Sequence, residues 1–290
     1  MAVVIVHGTF GRDGTWWLET TKGGFASEID RGLDDAGREP EVWRVASNPV
    51  RDFPELSPQA KGSMFSFWGR TPPPFENLEG RFRWSGGNAH SYGRSLAGRQ
   101  LARYLETLSG IAPYETVHLI GHSHGGNLIK QATKELSSPV RIGRIALLAC
   151  PHFNTITGGD GPGPTYPFNS SYLTIPGRPI LNFYTPQDTV QTDIAETLPD
   201  LGLGPGIPRI SMLGFEGTPI VEAFRTDPDS AVAEYYEDMA VTSATSSGVM
   251  AHDSVHNPIV GRAIGAWLAE PPHVSFREVW DGYGVDALIA

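Results

Sequence analysis

Cysteine is almost missing from this chain: Cys150 is the single one in 290 residues, which excludes an internal disulfide and suits a reducing compartment. No stretch approaches the run of about 20 apolar residues that a membrane-spanning helix needs. Basic charge is scarce as well. The 22 Lys and Arg against 32 Asp and Glu leave a formal net charge of −10. No basic stripe gathers anywhere, so a nucleic-acid partner, which needs a clustered positive field, is not expected. The glycine-rich turns lack the Gly-x-Gly-x-x-Gly and Walker spacings, and no organic cofactor is implied. The opening Met1-Ala2-Val3-Val4-Ile5-Val6-His7-Gly8 has no basic n-region and no cleavage-like site, so it reads as a buried strand. A cytoplasmic location is the expectation, with signal-independent secretion also compatible.

Glycine, by contrast, is abundant, at 34 residues, and with 40% hydrophobic residues the chain can bury a large core. One domain over residues 1–290, elaborated by insertions, is the expected organisation. Its most informative stretch is Gly121-His122-Ser123-His124-Gly125-Gly126. An apolar run, Thr116 to Ile120, leads into it, and a helix-like segment, Asn127 to Leu136, leads out. A serine on a sharp strand-to-helix turn has its Oγ pushed outward, and small residues two before and two after let strand and helix pass closely. In a chain this rich in glycine a Gly-x-Ser-x-Gly string arises by accident roughly 0.3 times. The pentapeptide alone is therefore weak, and the flanking elements carry the signal. Ser123 is the candidate nucleophile.

Taken in order, Ala2 to Val6 is a continuous apolar run of the kind buried on both faces of a parallel sheet, ending in His7-Gly8-Thr9-Phe10-Gly11. A helix from about Gly24 to Ala36 and a strand from Glu41 to Val45 follow, an alternation that predicts βαβ units. Residues 46–88 dissolve into prolines, glycines and large aromatics such as Phe65, Phe67, Trp68 and Trp84, and read as a lid or cap over the site. His90 to Ser109 spaces Leu96, Leu101, Tyr104, Leu105 and Leu108 as a helix. Arg141 to Ala149 and Pro179 to Tyr184 are further buried strands, with the low-complexity Gly158 to Pro164 between them. Residues 194–250 are expected to be a second insertion, with a strand at Arg209 to Leu213 and a helix at Asp229 to Met239. Ala251 to Pro258 reads as a turn-rich loop and Ile259 to Ala269 as a final helix. Pro271 to Ala290 carries too little pattern to place.

A serine hydroxyl is a poor nucleophile at neutral pH; an imidazole must take its proton, and a carboxylate must orient that imidazole. The chain offers Ser123, Asp188 and His252 in that order. Asp188 stands directly beyond a strand, where open α/β sheets place functional groups, which favours it over Asp193 and Asp160. Asp253 is too close to His252 in sequence to orient it. His-Gly after the first strand, the Gly-His-Ser-His-Gly elbow, the post-strand Asp and the loop His before the last helix together resemble the α/β-hydrolase superfamily. In detail they look most like compact bacterial esterases and lipases and the lipase-like proteins related to the PGAP-type acyl hydrolases. The resemblance covers Ala2 to Ala269 apart from the lid and the region from about Ile194 to Met250. It implies a mostly parallel central sheet flanked by helices, with Ser123 attacking a carbonyl carbon, His252 as general base and then acid, and Asp188 as its partner. His252 is preferred to His256 because the family's histidine precedes a short turn ending like Asn257-Pro258. It also implies an oxyanion hole made from the backbone N–H groups of His124 and Thr9, with Phe10 as the neighbouring alternative to Thr9.

His7 and His122 are expected to be structural, behind the oxyanion turn and the elbow. Alternating His118, His122 and His124 suggest zinc on paper, but the strand and turn send them in different directions, so no metal is expected. The leading function is hydrolysis of carboxylic esters through an acyl-enzyme, acting on a small-molecule or lipid ester; transient contact with a membrane or lipid interface is compatible. A hydrolase-fold protein that binds lipid without turnover, and a lipolytic effector acting on membranes, are the alternatives. Lipase, esterase, thioesterase and amidase are not separable from sequence.

Overall fold

The computed structural model describes residues 2–8, 23–36, 91–111, 116–137, 139–150, 152–154, 173, 177, 179–188, 211–213, 236–243, 249–283 and 287–288. The strand expected at Glu41 to Val45, the cap over residues 46–88 and the Gly158 to Pro164 stretch lie outside these residues, as do Thr9, Phe10, Asp160 and Asp193.

The chain runs β1 (Ala2–Val6), α1 (Phe25–Asp35), α2 (Ser91–Ile111), β2 (Val117–His122), α3 (His124–Glu135), β3 (Ile142–Leu148), β4 (His152–Asn154), β5 (Ile180–Tyr184), β6 (Ser211–Leu213), β7 (Tyr236–Ala240), β8 (Thr242–Ser243), α4 (Val249–Ser254), α5 (Pro258–Ala269), α6 (Phe276–Gly282) and β9 (Ala287–Leu288). Five strands form one parallel sheet in the order β1-β2-β3-β5-β7. β4 and β6 pair antiparallel, and β8 and β9 pair parallel, as two small separate sheets. Strands β1, β2, β3 and β5 are buried along their whole lengths, as continuous Val, Ile and Leu runs covered on both faces must be. The fold is the α/β class expected from sequence, with a parallel sheet flanked by helices.

Strand parity divides the core. Val3, Ile5, Ile120, Ala146, Leu148, Leu181 and Phe183 share one cluster with α1, α5 and α6, including Phe25, Ile29, Trp267, Phe276 and Trp280. α3 lies against β1 and β2 and packs on α2. Its Gly126 approaches the side chain of Leu147, which has the opposite parity to that cluster, so α2 and α3 cover the other face. α1 and α5 meet through glycines: an added Cβ on Gly265 would stand 2.9 Å from the Ile29 carbonyl carbon, and one on Gly32 would stand 2.7 Å from the backbone nitrogen of Ala266.

Three elements differ from the sequence expectation. Tyr236–Ala240 is a strand, not the end of a helix spanning Asp229 to Met239. β5 would otherwise expose an unpaired row of backbone groups, and pairing along Ile180↔Tyr236 to Tyr184↔Ala240 satisfies them, overriding local helix propensity. Asn182 donates to Asp238 across that pair at 2.8 Å. Ala251 to Pro258 is not simply a loop, because residues up to Ser254 form the short helix α4. The unplaced tail contains α6, opened by a capping box between Ser275 and Glu278. Its first N–H groups, Phe276 and Arg277, donate to the buried carboxylate of Glu237, each at 2.8 Å, which places the charge where the helix dipole favours it. Buried Arg144 fastens the preceding turn, donating to the carbonyls of Pro271 at 2.7 Å and Val274 at 3.2 Å while stacking 4.6 Å over Trp267.

Candidate active site

β2 ends at His122 and α3 begins at His124, leaving Ser123 alone at the corner with φ 51° and ψ −132°. A side chain at positive φ costs about 1–3 kcal/mol, so the surroundings must hold it. The Ser123 N–H donates to the Leu148 carbonyl of β3 at 2.9 Å, and the Gly126 N–H donates to the Ser123 carbonyl at 3.1 Å. Glycine is required next to the corner: a Cβ on Gly125 would lie 2.8 Å from the His7 carbonyl oxygen and closer still to that of Val6. The turn after β1 presses on the same corner, since a Cβ on Gly8 would lie 2.6 Å from the Ser123 Cβ and 2.9 Å from the His122 carbonyl. The helix thus begins at His124, earlier than the Asn127 start read from the sequence.

Asp188 closes a turn directly after β5, its N–H donating to the Thr185 carbonyl at 3.1 Å. Its carboxylate is buried, and His252 Nδ1–H donates to Oδ2 at 2.7 Å. With its proton on Nδ1, the neutral imidazole of His252 has its lone pair on Nε2, the nitrogen required of a base. The rival His256 is instead 3.5 Å from the exposed Asp253. That pairing lowers the Asp253 carboxyl below its ordinary range.

His122, immediately before the serine, links the two halves. Its Nε2–H donates to the His252 carbonyl at 3.3 Å, and its ring lies 4.7 Å from the His252 ring. Burial foremost, followed by the neighbouring His256 and His252, holds its pKa well below the usual value, so the ring is neutral. It was legible only as a packing residue; nothing local in the sequence points to a partner 130 residues away. His7 is fully buried, with Nδ1–H donating to the Gly8 carbonyl at 2.9 Å.

His124 is buried at the first position of α3. Its Nδ1 accepts from Asn127 at 3.2 Å, and Asn127 accepts from the buried Lys130 at 3.4 Å. His118, four residues before His122, is occupied in a different way: its Nδ1 accepts the Arg144 N–H at 2.9 Å. Burial, helped by the Arg144 charge, pushes its pKa down to about 3. Cys150 is buried behind the elbow, its Sγ–H donating to the Gly121 carbonyl at 3.3 Å, and burial pushes its thiol up to about 12.

No protein-family model matches this chain, and no curated protein matches it. Among solved structures it is similar to the product of gene lin2722 from Listeria innocua, at 12% identity and a TM-score of 0.36, over 99% of this chain and 96% of that one. At this depth the likeness carries no functional weight, and the α/β class rests on the parallel sheet and its flanking helices. Among the described residues no helix is long and apolar enough to cross a membrane.

Proposed function

We propose that the protein is a serine hydrolase that cleaves carboxylic esters through an acyl-enzyme. The observation that carries this reading is the buried 2.7 Å pair of Asp188 and His252, tied through His122 to a serine held at positive φ. Ser123 Oγ attacks the ester carbonyl while His252 Nε2 takes its proton, and the imidazolium is stabilised by Asp188. The tetrahedral intermediate collapses, the C–O bond to the alcohol breaks, and His252 returns the proton to the leaving oxygen. Water, deprotonated by the same nitrogen, then attacks the acyl-serine and releases the acid.

The negative oxygen of each intermediate would be met by the His124 N–H, with the Thr9 N–H, implied by the family resemblance, as the second donor. Each such donor typically contributes about 3 kcal/mol to the transition state. The aromatic and proline-rich residues 46–88 fit a cap selecting apolar acyl or aryl esters.

Hydrolysis of p-nitrophenyl esters from acetyl to palmitoyl, with wild type beside Ser123→Ala, His252→Ala and His256→Ala, tests this reading. Loss of several orders of magnitude in Ser123→Ala and His252→Ala, with His256→Ala retaining turnover, is expected. Wild-type turnover no higher than that of Ser123→Ala on every ester, together with no labelling by a fluorophosphonate, overturns it.

A further inference from the structure

The turn that follows His252 carries metal-binding side chains that ester hydrolysis does not use. His256 Nε2 lies 3.5 Å from Asp253 Oδ1, and the His256 ring meets the His122 ring edge-on with 4.7 Å between centroids. One ligand atom from each of His122, Asp253 and His256 lies within 4.8 Å of the other two. Ligands around a tetrahedral Zn²⁺, with bonds of about 2.0–2.2 Å, stand roughly 3.4 Å from one another. Asp253 and His256 already have that spacing, and His122 has little more than an ångström at most to close. The buried His122 floors the group, while the Asp253 side chain, 58% exposed, opens it to solvent.

We propose that His122, Asp253 and His256 bind one zinc-class divalent cation, with water completing the coordination. Two imidazoles and one carboxylate are a donor set that suits Zn²⁺, and three protein ligands with an open fourth position describe an exchangeable site, since structural zinc is closed by four. The cation would join the turn after His252 to the last residue of β2, the two stretches that carry the base and the nucleophile. The His252 ring is 4.7 Å from that of His122. A dication held there opposes the positive charge that His252 acquires on taking the serine proton, so zinc occupancy inhibits hydrolysis. This inhibitory consequence rests on the esterase reading; cation binding does not.

The test uses the full chain, stripped with EDTA, titrated with ZnCl₂ by calorimetry and with CoCl₂ by visible absorption. One equivalent of Zn²⁺ should bind, and Co²⁺ should show the intense bands of a tetrahedral centre, bleached by added Zn²⁺. Asp253→Asn and His256→Ala should each weaken binding at least about a hundredfold, beyond the ten- to hundredfold that outer-shell changes cost. His273→Ala, an exposed histidine outside the group, should bind as wild type does. Circular dichroism of each variant guards against loss of fold. Absence of Zn²⁺ binding by wild type, or undiminished binding by both Asp253→Asn and His256→Ala, overturns the site. Ester cleavage by the stripped protein is then measured with and without Zn²⁺. Zinc bound at these residues by a protein that cleaves no ester leaves the site standing and removes the esterase reading. Serine-dependent cleavage with zinc binding that ignores both substitutions does the reverse.

Discussion

Replacing Asp188 by asparagine isolates the electrostatic part of the proposed triad. The side chain is buried, and its Oδ2 accepts the His252 Nδ1–H at 2.7 Å, so an amide of the same size retains the packing but loses the charge. When His252 holds the serine proton, the charges of the pair are about 4 Å apart; at an effective dielectric of about 20 their attraction is about 4 kcal/mol. Its loss corresponds to about a thousandfold in rate. The amide can also donate to Nδ1, which drives the histidine proton to Nε2 and turns it toward the serine. Together these effects predict a fall in kcat of about 10³ to 10⁴, the scale known for the loss of an orienting aspartate in serine proteases. KM should change little, and stability should fall by only about 1–2 kcal/mol because a hydrogen bond is retained. Steady-state hydrolysis of p-nitrophenyl butyrate, with thermal unfolding alongside, reads both quantities. A kcat within tenfold of wild type, in a protein whose Ser123→Ala variant is inactive, would refute Asp188 as the orienting acid.

Other expectations concern stability and reactivity. The folded pKa of His118 is about 3 against an ordinary 6.5, and that of His122 is also depressed, so the unfolded chain binds protons that the folded chain refuses. The penalty is absent well above pH 6.5 and grows as pH falls, and His118 by itself accounts for about 1.4 kcal/mol by about pH 5.5, with His122 adding to it in the same direction. Urea midpoints at about pH 7.5 and about pH 5.5 should show the loss, with His118→Gln removing about 1.4 kcal/mol of it; an unchanged pH dependence in that variant counts against the assignment. Gly32→Ala should destabilise by about 2 kcal/mol or more despite a helix-propensity gain of about 1 kcal/mol, because its Cβ meets the backbone of Arg262 and Ala266; a rise in Tm would contradict the packing. Arg144→Lys loses a planar fork holding two carbonyls and a stacked ring, so about 2 kcal/mol should be lost and the segment around α6 cut sooner by protease; equal digestion rates would deny the tether. Cys150 should react with a disulfide reagent at pH 8 only as fast as the chain unfolds, and rapid labelling of the native protein would contradict its burial.

Local pattern was enough to read much of the frame. A strand buried on both faces must be apolar throughout, so Ala2 to Val6 and Pro179 to Tyr184 are visible as runs without reference to their neighbours. The corner at Ser123 is largely local, since Gly121, Gly125 and Gly126 lie within three residues of it, but it also needs the distant Gly8, whose added Cβ would stand 2.6 Å from the Ser123 Cβ. Tyr236–Ala240 was not legible in this way: its conformation answers to the open edge of β5, more than 50 residues earlier, and not to its own propensity. α6 went unplaced from the sequence, and its place in the core comes from Phe183 and Trp267 packing on Phe276 and from Glu237 meeting its N-terminus.

The same division runs through the site. Chemistry and chain order nominated Ser123, Asp188 and His252, since each residue type and its place beside a strand or turn is written locally. That His252 and not His256 meets Asp188, that His122 supports His252, and that His256 turns to Asp253 and His122 were decided only by tertiary packing. His252 lies in α4 and His256 in the turn that follows it, so partner choice between them depends on how this stretch packs against the end of β2.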